Sequence, residues 1–161
     1  MIYVTVGSQL PFDRLVRAVD VWADRERRSD VFAQIGRTSY VPTAIEWTYF
    51  LVPEESEAYI DRADLVVSHA GMGTILKALE YRTPIIVFPR LALFGEAVSD
   101  HQVATARHFA ARGYVCLAEN EKDLYRQLTM SHTTAAAAIR PAADDQLTAF
   151  LTEFVRKAYH K

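Results

Sequence analysis

Apolar residues along the chain gather into short runs, and between those runs lie amphipathic segments of helix length. Ile2–Val6 is the first run, free of charge and closed by Gly7-Ser8-Gln9, which predicts a strand buried on both faces. From Pro11 to about Arg27 the spacing changes. Phe12, Leu15, Val16, Val19 and Trp22 recur at three and four residues, the period of a helix with one buried face. The DRERR tail of that segment reads as a solvated face.

The alternation continues. Val31–Ile35 and Thr48–Val52 predict strands, Glu54–Arg62 a short helix, and Leu65–Ser68 another strand. A helix follows Gly73 and runs to about Tyr81, and Pro84 opens the most apolar strand, Ile85-Ile86-Val87-Phe88. The loop PRLALFGEAVS then leads to Asp100, placed to cap a helix through Arg112. Gly113 stops that helix, Tyr114–Leu117 predicts a last strand, and Glu121–Leu128 one more helix.

Strands that are apolar throughout and alternate with helices predict a parallel sheet covered on both faces, a doubly wound, Rossmann-like α/β fold. Ligands of such sheets bind outside the carboxyl ends of the strands. Three unusual loops fall on that rim: Gly7-Ser8-Gln9, Ser68-His69-Ala70-Gly71 and Pro89-Arg90. Residues 1–140 read as one domain. TTAAAAIRPAADD reads as a connector, and residues 141–161 carry a final helix with Leu147, Phe150, Leu151, Phe154, Val155 and Ala158 on one stripe. That stripe suits packing on its own domain or docking to a partner.

Composition narrows the class. The 161 residues suffice for one domain with a real core. A net charge of −2 gives no electrostatic footprint for nucleic acid. The one cysteine, Cys116, fits a reducing compartment and reads as a buried core thiol in the run YVCLA. No basic-then-apolar leader opens the chain, and no apolar stretch reaches the roughly 18–20 residues of a membrane span, so a cytoplasmic location is expected.

The segment SHAGMGT carries the most chemistry. A helix that starts at its glycines offers unpaired amides and a partial positive charge, which suit phosphate oxygens. Gly71 and Gly73 permit close approach and unusual dihedrals, Thr74 adds a hydroxyl, and His69 is placed to donate a ring N–H. A glycine pair equally describes a tight turn, and a strand-end histidine an ordinary hydrogen-bonder. Ser8 and Gln9 flank the same cleft, although Gln9-Leu10-Pro11 is also a plain helix entry. Gly95-Glu96 and Asp100-His101-Gln102 place polar groups suited to sugar hydroxyls at a helix start. A dinucleotide site is disfavoured, because VGSQ lacks the GxGxxG fingerprint. Metal binding is disfavoured by the spacing of His69, His101 and His108, and a serine hydrolase by the lack of a G-x-S-x-G elbow.

Taken in order, VTVGSQ-x-PFDRLV, LVVSHAGMGTILKALE, TPIIVFPR and DHQ-x-x-x-A resemble the C-terminal domain of family 28 glycosyltransferases, from Val4 to about Gly113. The likeness is strongest to short bacterial exopolysaccharide and capsule glycosyltransferase subunits, relatives of the catalytic subunit of the dolichol-linked N-acetylglucosaminyltransferase. The resemblance implies the donor half of a GT-B enzyme, which binds a UDP-sugar. It assigns Gly7, Ser8 and Gln9 to the first donor-side loop and His69, Gly71, Gly73 and Thr74 to the diphosphate. It assigns His101 and Gln102 to the donor sugar, and leaves Arg90 to the sugar or a partner.

The resemblance further implies inverting transfer with no required metal or resident cofactor, onto a lipid-linked saccharide acceptor. The acceptor half, and the general base, are then expected on a separate membrane-associated partner, which recruits this chain to the inner face of the membrane. One departure stands out. Relatives carry a ribose-holding glutamate eight residues after the histidine; here that residue is Lys77, and the nearest acid on the same helical face is Glu80. Lys77 favours the alternative of a non-catalytic nucleotide-binding or regulatory module. An epimerase is disfavoured by the missing first-strand fingerprint and the lack of a Y-x-x-x-K pair.

Overall fold

A computed structural model of the chain describes residues 1–133, together with Ala149 and Glu153. Six strands form one sheet: β1 (Ile2–Thr5), β2 (Val31–Gln34), β3 (Glu46–Thr48), β4 (Leu65–Ser68), β5 (Ile85–Val87) and β6 (Cys116–Leu117). All pair in parallel, in the order β3-β2-β1-β4-β5-β6. The direction of winding reverses between β1 and β4, so the expected doubly wound sheet is present with its switch point there.

Within residues 1–133 five α-helices cover it: α1 (Asp13–Arg25), α2 (Pro53–Arg62), α3 (Met72–Glu80), α4 (His101–Ala110) and α5 (Glu121–Thr133). Alternate strand residues divide the core into two. Val4, Val6, Ala33, Val67, Ile86 and Phe88 face Leu15, Val16, Val19 and Trp22 of α1 and Leu124 and Leu128 of α5. Tyr3, Val66, Ile85 and Val87 face Ile60 of α2, Ile75, Ala78 and Leu79 of α3, and Ala106 and Phe109 of α4. Period-two side-chain alternation in strands buried on both sides produces this division.

Several boundaries depart from the sequence reading. The third strand is Glu46–Thr48 rather than Thr48–Val52. Pro53 takes the first position of α2, where its missing N–H costs nothing, so the chain turns at Phe50–Val52. Tyr49, Phe50 and Val52 are consequently exposed despite their apolar character. The last strand shrinks to two residues, and Cys116 in it is half-buried rather than fully buried; burial still raises its thiol pKa. The Asp100 side chain does not cap α4; it accepts instead from the Ala92 amide at 2.8 Å. Ala149 and Glu153 are helical and exposed. The rest of the expected terminal stripe, the connector and the boundary at 140 lie outside the described residues.

One buried acid organises the long β2–β3 connection. Asp20 on α1 is 3% exposed and accepts from the Tyr40 hydroxyl at 2.6 Å and from the Thr43 and Ala44 amides at 3.1 and 2.8 Å. That bond, more than any other cause, pushes the Tyr40 pKa up to about 12. Asp20→Ala is expected to lower unfolding free energy by about 3 kcal/mol, because it leaves two amides and a hydroxyl without their acceptor. Urea denaturation checks this as a lower midpoint at unchanged slope.

Candidate functional site

The site lies at the switch point. Thr5 pairs with Ser68, so the chain beyond β1 and the chain beyond β4 leave the sheet side by side. Gly7 turns with φ +74°, and its amide is held by the Thr5 hydroxyl at 3.1 Å. The His69 ring fills the space between the two loops. A Cβ on Gly7 would lie 2.5 Å from His69 Nε2, and one on Gly71 would lie 2.8 Å from both ring nitrogens. These glycines are required by the imidazole. Neither Gly71 nor Gly73 has a left-handed φ, contrary to the expected unusual dihedrals. A side chain on Gly73 would meet nothing within 4 Å, so only its openness marks it.

His69 Nδ1 is buried and has no hydrogen-bond partner. The His69 pKa is lowered to about 4, chiefly by burial and further by the Arg90 charge, against an opposing contribution from the Gln102 side chain. The ring is therefore neutral near pH 7, with one N–H to donate. Gly71 is the N-cap of α3, and no side chain caps that helix. The first-turn amides of Met72, Gly73 and Thr74 thus have no partner within it. An N–H donor, open helix amides and a partial positive charge meet at one place, which suits an anion such as a diphosphate.

The other expected residues divide. Ser8 and Gln9 are exposed on the first loop, and Thr74 is half-buried on the first turn of α3. His101 is exposed at the start of α4, its Nδ1 2.9 Å from Ser99 Oγ. Gln102 is buried, and its side-chain oxygen accepts from the Arg90 amide at 3.2 Å. Arg90 departs from expectation. It is 3% exposed, and its guanidinium donates to the carbonyls of Val6 at 2.9 Å and Leu10 at 2.5 Å, so it supports the first loop from beneath and does not face a sugar or a partner. Glu80 is not brought in either. It sits about 13 Å along α3 from Gly71, by the helical rise, with its carboxylate 3.1 Å from Lys77 Nζ. Lys77 also reaches Glu57 of α2 at 3.2 Å.

Two features escaped the sequence reading. Glu96 is not a free rim acid but receives two bonds from Arg14, each 2.8 Å. Phe12 and Phe88 stack at 5.8 Å beside two cations, Arg90 lying 5.0 Å from the Phe12 ring and Arg14 4.1 Å from the Phe88 ring and 5.3 Å from Phe12. The two arginines are 76 positions apart in the chain, and no local spacing joins them. Among the described residues no three His, Cys, Asp or Glu side chains gather as a metal site, and no helix is long and apolar enough to cross a membrane.

A parallel sheet of this order, with the loops after β1 and β4 meeting at its switch point, defines a doubly wound α/β domain. The model of the glycosyltransferase family 28 C-terminal domain matches residues 1–155, and the chain belongs to that family. It is 31% identical over 121 residues to the UDP-N-acetylglucosamine–N-acetylmuramyl-(pentapeptide) pyrophosphoryl-undecaprenol N-acetylglucosamine transferase of Opitutus terrae, covering 74% of this chain and 28% of that one. It is 27% identical over 124 residues to the human UDP-N-acetylglucosamine transferase subunit ALG13, covering 71% of this chain and 10% of the relative. The chain thus spans about a quarter and a tenth of these relatives. A solution structure of ALG13 shares the fold at TM-score 0.59 and 23% identity, over 87% of each chain.

Two predictions follow from the jammed imidazole. Gly71→Ala is expected to destabilise the wild-type chain by about 2 kcal/mol and the His69→Ala chain by far less, since the nearest atoms the added methyl meets are those of the ring. Thermal melts of the four variants of the cycle measure this. As pH falls from about 6.5 to 4, the unfolded chain takes up a proton at His69 that the folded chain refuses. Stability therefore declines across that window by on the order of 3 kcal/mol. His69→Gln should flatten the slope there, as read from urea midpoints at stepped pH.

Proposed function

We propose that this chain is the donor-binding, catalytic subunit of a two-component inverting glycosyltransferase. It transfers a sugar from a UDP-sugar to a lipid-linked saccharide acceptor in bacterial polysaccharide synthesis. The observation that carries this reading is His69, a neutral N–H donor with a buried, unpartnered Nδ1, lodged between Gly7 and Gly71 beside the uncapped start of α3.

In the proposed reaction an acceptor hydroxyl attacks the anomeric carbon and the bond from that carbon to the diphosphate oxygen breaks. UDP leaves with the electron pair, and the hydroxyl proton passes to a general base. The α3 amides and His69 meet the charge that grows on the leaving diphosphate. Ser8, Gln9, Thr74 and His101 surround the donor. In this reading a membrane-associated, acceptor-binding partner supplies the base and brings this chain to the cytoplasmic face of the membrane.

The names of the relatives support the substrate class. One names a pyrophosphoryl-undecaprenol acceptor and the other calls its protein a subunit. Both name UDP-N-acetylglucosamine, which favours N-acetylglucosamine among four candidate sugars, the others being glucose, galactose and glucuronic acid; burial of Arg90 removes a cation that could pair with a uronate carboxylate. The alternative, a nucleotide-binding module without transfer, is favoured by Lys77, which is held between Glu57 and Glu80.

Calorimetric titration with UDP and the four UDP-sugars, with and without a co-expressed candidate acceptor-binding subunit, tests the proposal. His69→Ala is expected to weaken UDP binding at least tenfold with the circular dichroism spectrum unchanged. No heat for any ligand, even with the partner, would overturn the donor role. Binding without transfer in the presence of the partner would favour the module.

A further inference from the structure

The loop from Pro89 to Asp100 is held in a way that its apolar residues do not explain. Leu93 is 85% exposed and Val98 fully exposed, so burial of these side chains does not fix the loop. Polar bonds do. Glu96 accepts from Arg14 Nε and Nη2, and one of its oxygens also accepts from the Leu91 amide at 3.0 Å. Arg14 Nη2 donates in addition to the Pro89 carbonyl at 2.9 Å. Both partners are largely buried, with side chains 14% and 11% exposed, and the guanidinium lies over Phe88. A bidentate arginine–carboxylate pair is both strong and directional.

The loop then hands this placement to α4. Its turns close through Gly95 to Ala92 at 2.9 Å and Glu96 to Leu91 at 3.2 Å. The Ala92 amide donates to Asp100, the residue just before His101, and Gln102 in turn accepts from Arg90. A continuous set of bonds therefore runs from α1 through Arg14 and Glu96 to the start of α4.

We propose that Arg14 is a positioning residue for the part of the donor beyond its diphosphate: by fixing Glu96 it sets the start of α4, where His101 is exposed, against the cradle at His69. This rests on the donor-binding reading above. The cradle is built from β1, β4 and α3, and its links to this set are indirect, through Gln102 beside His69 and Arg90 beneath the first loop, so the diphosphate end of the ligand should respond less than the sugar end.

The test titrates the full chain and its Glu96→Gln and Arg14→Lys variants with UDP and with UDP-glucose, UDP-galactose, UDP-glucuronic acid and UDP-N-acetylglucosamine. Glu96→Gln keeps the size of the side chain and removes its charge; Arg14→Lys keeps the charge and loses the paired geometry. Expected is about a tenfold loss of affinity for the UDP-sugar that the wild type prefers, with UDP itself held within twofold. A purely structural role would move both ligands alike. Equal losses for UDP and UDP-sugar, or no loss for either, would overturn the positioning role. If Glu96→Gln fails to fold, Arg14→Lys carries the same comparison. A wild-type chain that binds neither UDP nor any UDP-sugar would instead remove the donor reading, and this proposal with it.

Discussion

The imidazole of His69 occupies the volume that side chains at positions 7 and 71 would need, and the geometry of the rim follows from that exclusion. Because β1 and β4 are neighbours at the switch point, their exits are close enough for one ring to fill the gap between them. Burial and the nearby Arg90 keep the ring uncharged, which lets a cationic guanidinium share the same layer without repulsion. Arg90 in turn accounts for the carbonyls of Val6 and Leu10, which a loop leaving the sheet would otherwise direct into the interior. The glycines, the histidine and the buried arginine form one unit.

The aromatic pair beneath the rim extends that unit across the sheet. Phe12 and Phe88 stack, Arg14 lies close to both rings and Arg90 close to Phe12, and the hydrogen bonds of both arginines go elsewhere. Ring faces are electron-rich, so they tolerate cations that no simple apolar core would accept. Two loops from distant parts of the chain are thereby held in register by charged groups that stay almost dry. Buried cations held in this way fix geometry more than they add stability.

Much of the fold was legible in the sequence because its strands are apolar on both faces. Ile2–Thr5, Leu65–Ser68 and Ile85–Val87 fall inside runs with no charged residue, and their few polar side chains, Thr5 and Ser68, are buried like the rest, as a strand covered on both sides requires. The error at Thr48–Val52 has a physical cause as well: TYFLV has strand composition, but the proline after it commits the chain to a helix and leaves those side chains on the surface. His69, Gly7 and Gly71 were legible as a group, although the reason was not. The sequence reading allows the glycines close approach and unusual backbone alike; at Gly71 the backbone is ordinary in φ and the approach is that of its neighbour's ring. Arg90, Glu96 and Gln102 were read as ligand-facing since polar residues on a rim usually are; their partners lie up to 84 positions away, a separation at which spacing says nothing.

The strand order has a consequence for how the chain reaches this state. β1 is the earliest strand in the chain and lies between β2 and β4 in the sheet. One of its edges can be paired once residue 34 has been made, but the other stays open until residue 68. Pairings of such sequence separation form slowly, and unpaired strand edges expose a chain to association with others. On a ribosome the most apolar strands of this protein must therefore wait for partners, and the half-finished sheet is its most aggregation-prone form.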